Sequence, residues 1–144
     1  MIKQGKKLTE AQKQEMISIM RSRGAVIGYV FGSYARGTAG YLSDIDVGVV
    51  FPVTMSKDIQ ESRIEEIRNA LEKKFGGRDK ADVVNVAMVK NPLLRYIITL
   101  GEGTVLFADE NILKNKLADF ARRDYEDTKP LRAIQRKVLA GLFA

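Results

Sequence analysis

One stretch of the chain, residues 26–50, restricts the fold more than any other. It begins with an apolar run that ends abruptly in Gly32-Ser33, crosses a short polar segment, and enters a second apolar run through Asp44 and Asp46. Short runs that are rich in β-branched and aromatic residues and bounded by glycine or polar residues are typical of buried strands. The stretch therefore predicts two strands, with a Gly-Ser turn after the first and two carboxylates at the start of the second.

Helical and strand patterns alternate along the rest of the chain. The patterns predict helices over residues 9–23, 34–36, 56–75, 91–101 and 109–143, the last broken near Pro130, and strands over 25–31, 45–51, 81–89 and 104–107. This order favours an α/β (α+β) fold, in which a small mixed β-sheet is flanked by helices and followed by a C-terminal helical tail. We expect residues 1–144 to form a single domain, with a core over about 8–108 and the tail over about 109–144.

The composition excludes several kinds of chemistry. The chain has no cysteine and no histidine, so any acid–base or metal chemistry must use Asp, Glu, Lys, Tyr or the backbone. A formal charge of +6 and a pI of about 9.6 suit an anionic partner, such as nucleic acid, nucleotide phosphates or an acidic protein surface, although a merely basic surface explains them equally well. No apolar region follows the first basic residues and no run approaches the ~20 apolar residues of a membrane span, so we expect a cytoplasmic protein.

The dipeptide Gly32-Ser33 is a candidate phosphate-binding turn. A phosphate needs backbone N–H groups directed at it and no side chain in the way, which a strand followed by Gly-Ser at a helix N-terminus supplies. The serine hydroxyl adds one further donor. Taken alone, a Gly-Ser pair after a strand is more often an ordinary turn.

Asp44 and Asp46 are candidate metal ligands. Residues two apart on a strand face the same side, about 6.6 Å apart along the strand, so the two carboxylates can reach shared magnesium ions. The alternative is a pair of aspartates that only cap a turn. Asp46 does not suit that alternative, because it lies inside an apolar strand, where an uncompensated charge costs several kcal/mol. A metal ion or an arginine is therefore expected beside it.

Asp82 and Arg36 complete the candidate site. Asp82 opens another apolar strand, and three converging carboxylates repel one another unless a cation lies between them. The alternative is that Asp82 only caps its strand. Arg36 follows Ser33 by three residues and can either reach a phosphate or pair with Asp46.

Together these motifs resemble the signature of the polymerase-β-type nucleotidyltransferase superfamily. Its small members, the minimal nucleotidyltransferases, carry Gly-Ser-x-Ala-Arg-Gly followed by Ser-Asp-Ile-Asp, and this chain has both motifs, at residues 32–37 and 43–46. The segments at 81–86, 91–95, 101–107 and 122–127 are also similar to that family, and over its whole length the chain most resembles the antitoxins of HEPN/MNT toxin–antitoxin pairs (MntA-like). One departure is Asn85, where relatives often have another acid.

The resemblance implies a polymerase-β palm-like fold and the transfer of AMP from ATP to a hydroxyl, with two Mg²⁺ ions. Gly32, Ser33 and Arg36 would bind the nucleotide phosphates. The metal ligands and catalytic residues would be three carboxylates, those of Asp44, Asp46 and Asp82, of which Asp82 would also take the proton of the acceptor.

The resemblance also implies a partner. The chain lacks the additional domains with which relatives grip RNA ends or small molecules, so we expect the acceptor to be a tyrosine of a HEPN ribonuclease toxin, docked on residues 120–142. Direct nucleic-acid binding is compatible with the charge but not required. Two alternatives stay open: a nucleotidyltransferase that acts on a small molecule or an RNA end, and an antitoxin that neutralises its toxin by binding alone.

Overall fold

The structure is a computed structural model that describes residues 8–37, 44–75, 81–101, 103–131 and 133. The predicted loop through Gly40 and Ser43 and the predicted helix end at Gly76-Gly77 lie outside these residues, as do residues 134–143 of the tail. The helices are α1 (Glu10–Ser22), α2 (Gly32–Arg36), α3 (Lys57–Phe75), α4 (Pro92–Thr99) and α5 (Asn111–Asp127). The strands are β1 (Ile27–Phe31), β2 (Ile45–Val50), β3 (Ala81–Asn85) and β4 (Thr104–Ala108), and a 3₁₀ helix spans Val86–Met88.

The four strands form one mixed sheet in the order β3-β2-β1-β4, which confirms the predicted architecture. β1 pairs antiparallel with both β2 and β4, whereas β2 and β3 run parallel. Parallel neighbours need a long crossover connection, and α3 supplies it between β2 and β3. The start of β2 and the start of β3 therefore lie at the same end of the sheet, next to the end of β1.

One face of the sheet packs on α1 and α3. The core there joins side chains from both helices to alternate residues of the two central strands, and its fully buried members include Met16, Met20, Val47, Val49, Ile67 and Leu71. Gly28 of β1 is part of this packing, because a Cβ there would lie 2.7 Å from the sulfur of Met20 and 2.5 Å from the ring of Phe107. We call this side the first face.

The other side, the second face, packs on α4 and α5. Its buried core joins the remaining residues of the central strands to the 3₁₀ helix and to α4, and consists of Ile27, Tyr29, Phe31, Val50, Val86 and Ile98. Gly48 lets these layers approach, since a Cβ on it would lie 2.7 Å from Val86 and 3.1 Å from Ile98. Leu113 and Leu117 bring α5 onto the same cluster.

Most predicted helix boundaries are confirmed within one or two residues. Thr9 and Gln12 form the expected capping box at the start of α1, with hydrogen bonds of 3.1 Å and 2.9 Å between each side chain and the other residue's backbone N–H. The side-chain Oδ1 of Asn91 caps α4 by accepting from the backbone N–H groups of Leu93 and Leu94, and Pro92 occupies the first turn. None of the described helices is both long and apolar enough to cross a membrane.

One predicted strand is shorter in the structure, whereas the predicted break in the tail helix is confirmed. The strand predicted over residues 81–89 ends at Asn85, and from Val86, which packs in the second-face core, the chain continues as a 3₁₀ helix. The tail helix, predicted with a break near Pro130, is interrupted at Thr128, so that α5 ends at Asp127. Thr128 closes it by donating its hydroxyl to the Asp124 carbonyl at 2.8 Å, and residues 129–131 are again helical.

A polar and aromatic clamp joins α4 to α5. Arg95, only 7% exposed, donates from Nη1 to Oδ2 of Asp124 at 3.0 Å, and its guanidinium lies 4.8 Å from the ring centroid of Phe120. The rings of Tyr96 and Tyr125 stack with centroids 4.2 Å apart. Because a buried guanidinium is costly without an anion beside it, the position of α5 depends on this ion pair.

We expect the substitution Asp124→Ala to lower the free energy of unfolding by about 3 kcal/mol, since it leaves a buried cation without its anion. The matched control is Asp119→Ala on the same helix, whose exposed pair with Arg122 is worth less than about 1 kcal/mol. Urea denaturation of the two variants and the parent chain measures both values. Equal losses in the two variants would show that the clamp does not fix α5.

A second, exposed ion pair joins α1 to the turn after β4. Arg21 donates from Nε and Nη2 to the two carboxylate oxygens of Asp109, at 3.0 and 2.7 Å, and lies over the Phe107 ring at 4.7 Å. The hydrogen bond from Arg21 lowers the pKa of the Asp109 carboxyl below its ordinary value. A lowered folded-state pKa contributes stability above the unfolded-state pKa, which is lost as the pH falls through the folded-state value.

The substitution Arg21→Gln should therefore return the pKa of Asp109 towards its ordinary value, about 3.9. Carboxyl ¹³C shifts followed through an acid titration measure this change. The difference in unfolding free energy between parent and variant should be largest above about pH 4 and shrink at lower pH. Arg122→Gln, which breaks a different exposed pair, should leave the Asp109 titration unchanged.

Candidate functional site

The candidate site lies where β1 ends and β2 begins. In their antiparallel register Phe31 is the partner of Asp46, so the residue after β1 lies beside the first carboxylate of β2. That residue is Gly32, whose φ of +71° turns the chain out of the strand and into α2. Non-glycine residues adopt this region at an energetic cost.

Gly32 also leaves room for the Asp46 carboxylate. A Cβ on Gly32 would overlap Oδ2 of Asp46 and lie 3.2 Å from its Cγ. The carboxylate therefore lies directly against the backbone of the Gly-Ser turn. The positive φ and the missing side chain of Gly32 together let the acidic group of Asp46 and the backbone of the turn share one small volume.

Asp82 lies beside Asp46. The two residues are register partners in the parallel pair β2–β3, and adjacent strands are about 4.8 Å apart. Partners in a ladder project to the same side of the sheet, so both carboxylates face the second face. Asp46 is half-buried and Asp82 is exposed.

Asp44 stands just before β2 and is exposed. It shares the end of the sheet with Asp46 and Asp82, and carboxylate oxygens are the ligands that Mg²⁺ prefers. Among the residues that the structure describes, no three acidic side chains are gathered closely enough to surround an ion. The donor chemistry thus fits a divalent cation, and the assignment of these three residues as its ligands stays a prediction.

Ser33 and Arg36 occupy the second and last positions of α2. Their side chains lie outside the described part of the chain, so their predicted contacts with phosphate stay predictions. The backbone of α2 begins immediately after β1, which places the predicted phosphate turn beside Asp46.

Asn85, the residue that departs from the family pattern, lies away from the carboxylates. It is the partner of Val49 in the ladder, three residues along β3 from Asp82 and therefore on the other side of the sheet. Its Nδ2 donates to Oε1 of Gln60 on α3 at 2.8 Å, and Gln60 in turn donates to the Met55 carbonyl at 2.8 Å. Asn85 consequently has no place among the carboxylates of the site, which the sequence alone left open.

Tyr29 is excluded as an acid–base group by its surroundings. It lies on β1 opposite Gly48, is buried, and burial raises the pKa of its phenol to about 12. The phenol therefore stays protonated at neutral pH. Tyr29 therefore does not act as a base at neutral pH.

The sequence matches the family of the nucleotidyltransferase domain over residues 14–106, which is more than half of the chain. The chain belongs to this family. The matched region contains β1, α2, β2 and β3, and thus the Gly-Ser turn and all three aspartates of the candidate site. A comparison with well-characterised proteins gave no significant sequence match.

Solved structures share the fold. A chain of a mutant of the toxin–antitoxin MntA–HpeT superposes with a TM-score of 0.69 at 21% identity, covering 95% of this chain and 99% of that one. A chain of a toxin–antitoxin with AMP-PNP gives 0.65 at 20% identity, covering 92% and 98%. A chain from the tri-AMPylated Shewanella oneidensis HEPN toxin in complex with MNT antitoxin gives 0.62 at 17% identity, covering 95% and 100%. At these identities the likeness establishes the fold.

The contact between Gly32 and Asp46 gives a direct prediction. Gly32→Ala and Gly24→Ala both force a side chain into a positive φ, which costs about 1–2 kcal/mol each, but Gly24 would meet only the flexible end of Met55 at 3.0 Å. We therefore expect Gly32→Ala to lower the unfolding free energy by more than Gly24→Ala does, as measured by urea denaturation.

The additional loss of unfolding free energy in Gly32→Ala, relative to Gly24→Ala, should disappear when Gly32→Ala is combined with Asp46→Ala. The second change removes the carboxylate that the new methyl group overlaps. A double-mutant cycle over these two positions measures this coupling. An additive result would contradict the contact as described.

Proposed function

We propose that this chain transfers AMP from ATP to a hydroxyl of a partner protein, a tyrosine of a HEPN ribonuclease toxin, and thereby acts as the antitoxin of that toxin. The observation that supports it most is the placement of Asp46 between two neighbours: the glycine turn at the end of β1 and the Asp82 carboxylate in the adjacent strand. A phosphate-binding turn and acidic groups that share one end of a sheet are what nucleotidyl transfer needs.

In the proposed reaction the acceptor oxygen attacks the α-phosphorus of ATP. A new O–P bond forms to the acceptor, the bond between the α-phosphorus and the bridging oxygen breaks, and pyrophosphate leaves with the electron pair. Asp82 takes the proton of the acceptor hydroxyl, a role that its exposed position permits. Gly32 and Ser33 hold the β- and γ-phosphates through backbone N–H groups, and Arg36 adds a charge-assisted contact.

Two Mg²⁺ ions are part of the proposal. Asp44 and Asp46 would bind both ions and Asp82 would bind one of them, and the ions would offset the charge that develops on the attacking and leaving oxygens. A cation between the strands would also remove the repulsion between Asp46 and Asp82, which face the same side of adjacent strands.

The choice of acceptor rests on two observations. One structure that shares the fold contains an AMPylated HEPN toxin with its MNT antitoxin, and another contains AMP-PNP. In addition, α5 and the residues after it present large apolar side chains to solvent: Ile112 is 72% exposed, Phe120 53% and Leu131 60%. We propose residues 120–142 as the surface that docks the toxin, of which the structure describes the first part.

We expect the paired change Asp44→Asn and Asp46→Asn to abolish AMP transfer to a HEPN-type partner protein. Co-expressed pairs are purified and the toxin subunit is weighed intact, since each transferred AMP adds one discrete mass step. The matched control is Asp119→Asn, an exposed aspartate on α5, which should leave transfer unchanged. Chelation of Mg²⁺ before ATP is added should give the same loss as the paired change.

The alternatives predict other results. If the toxin is neutralised by the Asp44→Asn/Asp46→Asn variant and no mass step is found on it, the chain acts by binding alone. If labelled ATP modifies RNA ends or small molecules in the absence of any partner protein, the acceptor assigned here is wrong. If the single Asp82→Asn variant transfers AMP at the parent rate, Asp82 is not the base.

A further inference from the structure

A cleft on the first face is not used by the proposed reaction. It has a volume of about 540 Å³ and lies between one side of α3 and the segment that follows β3. Its lining residues are Lys57, Glu61, Ile64, Asn85, Met88 and Lys90. We call it the α3 cleft.

The first three of these residues follow one side of α3, because positions four and then three apart along a helix lie in a row. The other three come from the place where β3 stops and the 3₁₀ helix begins. The cleft thus lies between α3 and the point where the chain leaves the sheet after Asn85.

The cleft contains polar groups that have no partner among the residues that the structure describes. Within the described part of the chain, Lys57, Glu61 and Lys90 make no ion pair, although all three are charged and line the same space. The Oδ1 atom of Asn85 is buried and accepts no hydrogen bond from the described residues. An acceptor buried in this way costs about 1–3 kcal/mol unless a donor is supplied, so the group favours a ligand that brings one.

The rest of the lining is apolar and partly adaptable. Ile64 packs against the first-face core, whereas Met88 is 41% exposed and has three rotatable bonds. Met88 is therefore the more adaptable of these two lining side chains. Binding sites for small molecules commonly combine such apolar walls with a few convergent polar groups, in volumes of about 300–1,000 Å³.

We propose that the α3 cleft binds a zwitterionic small molecule with an apolar side group, of the chemical class of an apolar amino acid. Its carboxylate pairs with Lys57 and Lys90, and its ammonium group donates to the Glu61 carboxylate and to Oδ1 of Asn85. Its apolar group lies against Ile64 and Met88. Each charged group in the cleft then has a partner of opposite charge, and the Asn85 acceptor has a hydrogen-bond donor.

The α3 cleft is separate from the candidate catalytic site. Asn85 and Asp82 lie at opposite ends of β3, about 10 Å apart along the strand, and on opposite faces of the sheet. The proposal therefore does not depend on the proposed transfer reaction, and a failure of either leaves the other unaffected.

The test uses L-phenylalanine and two probes that each lack one of its charged groups. 3-Phenylpropanoate lacks the ammonium group, and 2-phenylethylamine lacks the carboxylate. Each is titrated into the full chain, and the side-chain amide signals of Asn85 are followed by ¹H–¹⁵N NMR, with calorimetry for Kd. We expect saturable binding of phenylalanine that shifts these signals, and Kd values about tenfold or more higher for each of the other two probes, since each lacks one of the two charged groups and the contacts that it makes.

Two variants locate the binding. The double change Lys57→Gln and Lys90→Gln should raise the Kd of phenylalanine about tenfold or more, while Lys73→Gln, an exposed lysine further along α3, should leave it unchanged. Both substitutions are at the surface, and thermal unfolding checks that each variant is folded. The proposal is overturned if no probe shifts the Asn85 signals, if the lysine pair and Lys73→Gln give the same Kd, or if all three probes bind equally.

Discussion

The arrangement of the candidate site depends on one close contact, that of the Asp46 carboxylate with the backbone at Gly32. The antiparallel register of β1 and β2 brings the two residues together, and the absence of a side chain on Gly32 lets the carboxylate fit there. A half-buried carboxylate is costly unless it is compensated, so it needs donors or a cation at that place. The second strand pair adds Asp82 on the same side, and one end of the sheet thereby gathers acidic groups beside the turn at Gly32.

The two faces of the sheet differ in the helices that cover them and in the polar groups that they bear. The first face is closed by α1 and α3 over an apolar core, apart from the α3 cleft at the end of β3. The second face bears the carboxylates and is covered elsewhere by α4 and α5, whose contact includes the buried Arg95–Asp124 pair. Because the second half of α5 is the first part of the segment proposed to dock a partner, the clamp between α4 and α5 holds that part against the helices of the second face.

The sequence predicted the order of elements because local signals agreed with the tertiary structure. The capping box at Thr9, the Asn91-Pro92 helix start and the β-branched strands all act over a few residues. The error came in the third strand, where distant contacts form. Val86 lies against Ile98 and Gly48 in the second-face core and begins a 3₁₀ helix instead of continuing β3. A periodic pattern of apolar residues does not contain these contacts.

The sequence by itself determined the chemistry that is available, since it has no histidine or cysteine, and it placed Gly32-Ser33, Asp44 and Asp46 in a pattern that identifies the family. Only the tertiary structure decided which of these groups meet. Asp82 is 36 residues from Asp46 along the chain and becomes its neighbour through the parallel pairing of β2 and β3. Asn85, three residues further on, is directed to the opposite face because side chains alternate along a strand. The sequence fixes which side chains are available, whereas the register between the strands fixes which of them share a site.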